Sequence, residues 1–357
     1  MTQQRVVIAM SGGVDSAVAA GLLARQGYEV IGITMRLWAQ EDPLAPRLHR
    51  RCCSVEDIDD ARAAADALGI PHYVLNLERE FSTHVVDYFV DEYQRGRTPN
   101  PCLPCNEHIK FGSLLARANA LEADYLATGH YARIEQGNGS YRLLQARDPE
   151  KDQSYVLYAL GQQELARILF PIGDYQKEEI RGLAQEMGLP VAEKPDSADI
   201  CFLPTEDYRD FIALRVPQAE GDIVDRDGRA VGRHGGVAGF TIGQRRGLGV
   251  ALGEKRFVTD IDPQRNVITI GREDDLLSSA LTLESLRWVA GRPPAEEFET
   301  DVKIRYRAPA QRARVRLTKD GAEVRFLHPQ RAIARGQAAV FSQRDELLGG
   351  GIIAASG

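Results

Sequence analysis

The run Ser11-Gly12-Gly13-Val14-Asp15-Ser16 lies between the apolar segment Val6-Val7-Ile8-Ala9 and the helix formers Ala17-Val18-Ala19-Ala20-Gly21-Leu22-Leu23, and it constrains this chain more than any other feature. The β-branched run ahead of it reads as a strand buried on both faces, and the segment after it reads as a helix. The loop therefore opens a helix. Adjacent glycines let the backbone turn sharply and come close to a ligand, while the first-turn N–H groups and the helix dipole favour an anion. Ser11 and Ser16 add hydroxyl donors. Asp15 repels a phosphate unless a divalent cation lies between them, so the pattern also predicts Mg2+. The loop has neither the Gly-Lys-Ser/Thr ending of the nucleotide-hydrolysing P-loop nor the spacing of a dinucleotide fingerprint, which leaves a third type of phosphate loop.

At 357 residues the chain is expected to contain two or three domains. Up to about residue 200, strands at Val6–Ala9, Gly27–Thr34, His72–Asn76 and Ala123–Gly129 alternate with helix-length segments, the pattern of an α/β fold with a doubly wound parallel sheet. Ser54-Val55-Glu56-Asp57 reads as a capping box, and Gly69 as the stop of the helix it opens. Short strands and tight turns follow, and from about residue 276 alternation such as Val302-Lys303-Ile304-Arg305-Tyr306 points to a nearly closed β structure. The expected division is a phosphate-loop domain at 1–206, a small central domain at 207–275 and a C-terminal β-barrel-like domain at 276–357.

A formal net charge of −7 argues against nucleic-acid binding by overall charge. Basic residues nevertheless concentrate near the C-terminal end, with Arg305, Arg307, Arg312, Arg314, Arg316, Arg325, Arg331 and Arg335 in one stretch, where phosphate contacts are expected. No apolar run approaches the length of a membrane span, the N-terminus runs straight into a strand, and five cysteines without a secretory context argue for reactive thiols. A cytoplasmic protein is the expectation.

The loop matches the SGGxDS signature of the PP-loop ATP pyrophosphatases, so the chain resembles enzymes that bind ATP and transfer AMP with release of pyrophosphate. A proline-stiffened Cys102-Leu103-Pro104-Cys105 and a distant Cys201 accompany it. Alone, a C-x-x-C also fits half a zinc site, a redox dithiol or an iron–sulfur ligand pair. Beside an adenylating loop, thiols suggest exchange of oxygen for sulfur. A pyrimidine carbonyl oxygen leaves only once it has become a phosphate ester, and a persulfide then supplies nucleophilic sulfur.

The ordered motifs AMSGGVDS (Ala9–Ser16), CCS (Cys52–Ser54), GRTPNPCxxCN (Gly96–Asn106), IKFG (Ile109–Gly112), ATGHYAR (Ala127–Arg133), KDQSY (Lys151–Tyr155), DSxDICF (Asp196–Phe202), TIGQRRGLG (Thr241–Gly249), KIRYR (Lys303–Arg307) and GGGII (Gly349–Ile353) span nearly the whole chain. Together they resemble the bacterial tRNA-specific 2-thiouridylases. That resemblance implies ATP contacts from Ala9, Met10, Ser11, Gly12, Gly13, Val14, Asp15 and Ser16, with Met35 and Gly129. It implies a persulfide on Cys201 and attack by Cys105, leaving a transient disulfide or releasing sulfide, and a pocket for a flipped wobble uridine at Asn100, Pro101 and Cys102. It implies tRNA contacts from His130, Lys151, Asp152, Gln153, Arg305, Tyr306 and Gln337. The tRNAs implied are those for glutamine, lysine and glutamate, and the sulfur donor a cysteine desulfurase or a sulfur-relay protein.

Cys102 stands where some members carry aspartate, which opens a second mechanism in which Cys102, Cys105 and Cys201 hold a [4Fe-4S] cluster that delivers sulfide. Cys52 and Cys53 read as packing residues, and His130, at a strand end in a parallel sheet, reads as functional. The competing functions are a PP-loop amide-forming ligase acting on a small metabolite and a non-catalytic RNA-binding protein on a nucleotide fold.

Overall fold

The computed structural model describes residues 3–38, 55–196, 200–203, 207–217, 219–250 and 253–357. Ser54, Cys52, Cys53 and Ala198 lie outside the described residues, so the expected capping box and the paired thiols do too. The chain opens with β1 (Arg5–Ala9), β2 (Glu29–Arg36), β3 (His72–Asn76) and β4 (Tyr125–Thr128), continues into a hairpin of β5 (Ala132–Gly137) and β6 (Ser140–Gln145), and returns with β7 (Ile168–Leu169). A parallel sheet in the order β3-β2-β1-β4-β7 carries the first region. Val6 and Ile8 of β1 pack into one buried cluster and Val7 and Ala9 into another, as a strand with a period of two and both faces covered must. Helices α1 (Val14–Arg25) and α2 (Val55–Leu68) supply Ala17, Val18, Ala61, Ala64 and Ala65 to the first of these clusters.

The chain runs outward from β1 to β2 and β3, then crosses back to β4 on the other side of β1. The strand order therefore reverses between β1 and β4. In open parallel sheets that reversal leaves a crevice beyond the strand ends where ligands bind, and the Ser11–Ser16 loop leaves β1 at that edge.

The middle of the chain forms β8 (Gly221–Val224), β9 (Ala230–His234), β10 (Phe257–Asp262) and β11 (Val267–Gly271), ordered β10-β11-β8-β9 over Ile223, Val258, Ile268 and Ile270. The last region carries β12 (Leu277–Trp288), β13 (Glu297–Lys303), β14 (Gln311–Leu317), β15 (Ala322–Arg331), β16 (Ala338–Gln343) and β17 (Glu346–Ser356). Because β12 pairs with both β15 and β17, these strands close into a six-stranded barrel.

One element departs from the sequence expectation. The β5–β6 hairpin, within the stretch read as the phosphate-loop domain, pairs instead with β17, with Leu144 opposite Glu346 and Leu143 opposite Leu347. Arg142 reaches Glu346 at 2.8 Å and Arg133 reaches Asp345 at 2.6 Å. Alternation identifies a strand but not its partner, which only tertiary packing supplies. A single buried cluster consequently joins Val7 and Leu126 of the parallel sheet to Leu143, Tyr155, Val289, Ala338, Val340 and Leu347.

Candidate functional site

Within the phosphate loop, Ser16 Oγ accepts from Ser11 N at 3.1 Å and donates to Gly13 O at 3.1 Å. Gly13 caps α1 without a side-chain bond, so the first-turn N–H groups are left to an incoming acceptor. Gly12 adopts φ +74°, and a Cβ there would stand 2.3 Å from the carbonyl oxygen of Asp57 in α2. A Cβ on Gly129, just past β4, would stand 2.7 Å from Ser16 N. The loop is thus gripped between α2 and the end of β4, at the reversal of strand order. This glycine-lined cradle at a helix N-terminus fits the triphosphate of ATP. The Met10 side chain is buried, leaving its backbone to the loop, while Met35 is half-buried at the far end of β2.

The carboxylate of Asp15 is met by a residue that the sequence analysis missed. Lys177 Nζ donates to both Asp15 oxygens, at 2.7 and 2.9 Å, and Tyr131 Oη donates to Asp15 Oδ1 at 2.7 Å. Lys177 also pairs with Asp196 at 2.9 Å, and Lys151 reaches the other Asp196 oxygen at 2.9 Å. Although desolvation raises the Asp196 carboxyl, hydrogen bonds from Lys151 and Lys177 outweigh it and hold the group down at about 2. Lys177 is 6% exposed and opens the helix Lys177–Glu186, an end where the dipole disfavours a cation. That misplaced charge was the available signal.

In the cysteine loop, Asn100 Oδ1 accepts from Cys102 N at 3.0 Å, and Pro101 O accepts from Cys105 N at 3.2 Å. These bonds start a helix whose Cys105–Leu114 segment is π-helical, a wide winding often found at functional sites. Cys105 is buried and Cys201 half-buried, and both belong to one apolar cluster with Phe81, Phe89 and Phe202, against which Met35 also packs. The structure therefore brings the two distant cysteines into one apolar cluster, against which Met35 and Leu75 at the ends of β2 and β3 also pack. Cys102 is half-buried at the head of the helix. Among the described residues, no group of three or more Cys, His, Asp or Glu side chains is arranged to hold a metal ion.

The residues expected to touch tRNA separate into two groups. Lys151, Arg305 and Tyr306 are at least partly exposed, and Arg305 has no acidic partner among the described residues. Asp152 instead accepts from Ala146 N and Ser154 N, Gln153 pairs with the backbone of Tyr131, and Gln337 donates to Thr98 O at 2.8 Å. Of the expected phosphate-binding arginines, Arg312, Arg314 and Arg316 pair across strands with Glu297, Glu299, Asp301 and Glu323. Their alternation with buried Ala313 and Val315 is that of a barrel wall.

His130 is 6% exposed, between Phe111 and Phe170. Burial, reinforced by the nearby Lys110 cation, holds its imidazole well below the usual range. Lys110 Nζ lies 3.2 Å from Nε2 and Thr128 Oγ1 lies 2.7 Å from Nδ1. An ammonium only donates, which assigns the proton to Nδ1. Below about pH 6.5 the unfolded chain binds a proton here that the folded chain refuses, so stability falls with pH by at most about 1.4 kcal/mol per unit. His130→Asn is expected to flatten urea-unfolding stability between pH 7.5 and 5.5 relative to the native chain. Equal slopes would mean that His130 takes up its proton over the same pH range in the folded chain as in the unfolded one.

Family models match three successive stretches: a tRNA methyl transferase HUP domain at residues 4–205, a tRNA methyl transferase PRC-barrel domain at 209–272 and an aminomethyltransferase beta-barrel domain at 278–353. Relatives along the full length are named tRNA-specific 2-thiouridylase MnmA. The one from Carboxydothermus hydrogenoformans is 48% identical over 98% of both chains. That from Roseiflexus castenholzii is 49% identical over 98% of this chain and 99% of its own, and that from Clostridium perfringens 46% over 99% of each.

Proposed function

This chain belongs to the tRNA-specific 2-thiouridylase family, and from that premise we propose how its residues divide the work of a reaction in which ATP activates a tRNA uridine and sulfur replaces its oxygen. The enzyme is an ATP-dependent tRNA-uridine 2-sulfurtransferase. The observation that supports the residue assignments is that Cys105 and Cys201, distant in the chain, share one apolar cluster with Met35 from the end of β2.

ATP sits with its phosphates over Ala9–Ser16 and its adenine near Met35 and Gly129. The uracil O2 attacks the α-phosphorus, pyrophosphate departs, and C2 carries an AMP ester that is a competent leaving group. The terminal sulfur of a Cys201 persulfide attacks C2, and AMP leaves with the original oxygen. The Cys105 thiolate then attacks the Cys201 sulfur, breaking the S–S bond so that the transferred sulfur stays on C2. A Cys105–Cys201 disulfide remains, which a dithiol reductant reopens by two electrons before a cysteine desulfurase or sulfur-relay protein reloads Cys201. Asn100, Pro101 and Cys102 line the pocket of the flipped wobble uridine, in tRNAs for glutamine, lysine and glutamate, and Lys151, Arg305 and Tyr306 face the RNA. A cytoplasmic location suits these substrates, and among the described residues no helix is long and apolar enough to cross a membrane.

Exchange of labelled pyrophosphate into ATP tests the reading. It is expected only with tRNA present, together with 2-thiouridine on addition of a sulfur donor. Exchange that ignores tRNA and yields no thiouridine would instead indicate an amide-forming ligase.

Asp15 is the candidate partner for Mg2+ shared with the ATP phosphates. Its carboxylate stands at the mouth of an anion site, and Lys177 balances its charge. Asp15→Asn is expected to raise the Mg2+ concentration for half-maximal pyrophosphate release by about tenfold. An unchanged Mg2+ requirement would assign Asp15 to holding Lys177.

A further inference from the structure

The C-terminal barrel grips the loop that leads into the cysteine helix. Thr98 N donates to Arg335 O at 2.7 Å, and Gln337 Nε2 donates to Thr98 O at 2.8 Å, so both backbone groups of Thr98 are held from the barrel side. Arg97 is held at two points, by Glu92 at 2.8 Å and by Glu284 of β12 at 2.6 Å. A Cβ on Gly336 would stand 3.1–3.2 Å from Arg97 Cβ, Glu92 Oε2 and Thr98 N, so the two segments are in tight contact. The barrel segment is itself anchored, since Gly336 N donates to Ile353 O and Ile353 N to Gln337 O.

Two residues after Thr98 comes Asn100, whose side chain fixes Cys102, and Pro101 O receives the Cys105 N–H. A displacement at Thr98 is therefore passed to the base pocket and to the attacking cysteine through three consecutive constraints. The amide of Gln337 is half-buried and its donor is used by Thr98.

We propose that Gln337, together with the Arg97–Glu284 ion pair, is a positioning element that sets the 98–105 loop against the activated uridine, acting through the Thr98 backbone. This rests on the reading of Asn100–Cys105 as base pocket and sulfur relay. A loosened loop leaves C2 adenylated but badly aimed at the persulfide. Water then attacks the ester and returns uridine and AMP, so pyrophosphate is released without thiouridine.

The test uses Gln337→Glu, which keeps size but replaces the donor with an acceptor facing Thr98 O, and Glu284→Gln, a milder change at a partly exposed side chain that guards against a Gln337 variant that does not fold. Three quantities are read: tRNA Kd, the 2-thiouridine rate at saturating tRNA, and pyrophosphate released per 2-thiouridine formed. Loss of one such hydrogen bond is expected to lower the saturated rate about tenfold, to raise the pyrophosphate ratio at least about threefold and to leave Kd within about twofold. General loss of folded protein lowers both products together and does not move the ratio. A weaker Kd with an unchanged ratio would overturn the proposal in favour of direct RNA contact, and unchanged values in both variants would overturn it outright. If the native enzyme forms no thiouridine in the same assay, the underlying reading fails instead.

Discussion

Cys201→Ser is expected to lower 2-thiouridine formation by about a thousandfold or more, the scale on which removal of a covalent nucleophile acts, while tRNA-dependent pyrophosphate release continues. The two halves of the reaction use different parts of the molecule. In the proposed mechanism activation takes place over the loop between β1 and α1, whereas transfer needs a sulfur on Cys201, which packs against the cluster of Phe81, Phe89 and Phe202. A hydroxyl carries no persulfide, so the adenylated uridine has no sulfur to meet. The readout is nucleoside analysis of the tRNA together with pyrophosphate counted in the same reaction. Cys105→Ser is expected to differ: one sulfur transfer leaves the product tethered to Cys201, detectable as a tRNA–protein adduct cleaved by thiol. Normal thiouridine yield from Cys201→Ser would exclude that residue as the sulfur carrier.

Gly12→Ala is the second large effect, and it strikes the other half-reaction. The new Cβ would meet the Asp57 carbonyl oxygen at 2.3 Å, and the backbone at φ +74° already disfavours a side chain. Neither obstacle is a flexible side chain that can move aside. Either α2 retreats or the loop flattens, and both outcomes turn the N–H groups of α1 away from the phosphates. Strain of this kind costs about 1–3 kcal/mol, and pyrophosphate release is expected to fall at least about a hundredfold, since a small misplacement of positioning groups is enough. Denaturant unfolding separates the two consequences. A folded variant with near-normal pyrophosphate release would show that the cradle does not need its present shape.

The backbone of the phosphate loop was legible in the sequence and the side chains that gather around it only in part, for a physical reason. A strand, a glycine turn and a helix in succession are set by neighbours in the chain, so β1, the loop and α1 follow from local pattern. The β3 limits His72–Asn76 coincide with the expected strand, while β2 runs from Glu29 to Arg36 because Met35 and Arg36 still pair with Leu75 and Asn76 of β3. Lys177, by contrast, meets Asp15 from far along the chain while pairing with Asp196 as well, and no period records such a meeting. His130 shows the limit from the other side. Its place after β4 was readable, but whether its ring faced RNA or lay between Phe111 and Phe170 depended on a helix and a loop that fold over it. The arginines of β14 are similar, since the acidic partners that neutralise them sit on adjacent strands.

The hairpin that leaves the parallel sheet to pair with β17 ties the two ends of the chain together. Its strands, the Arg142–Glu346 and Arg133–Asp345 pairs and the common buried cluster splice the last strand of the chain to the ATP-binding region. Strands, ion pairs and core shared in this way make the barrel's last strand part of the packing of the ATP-binding region, so a disturbance of β17 is carried into that region.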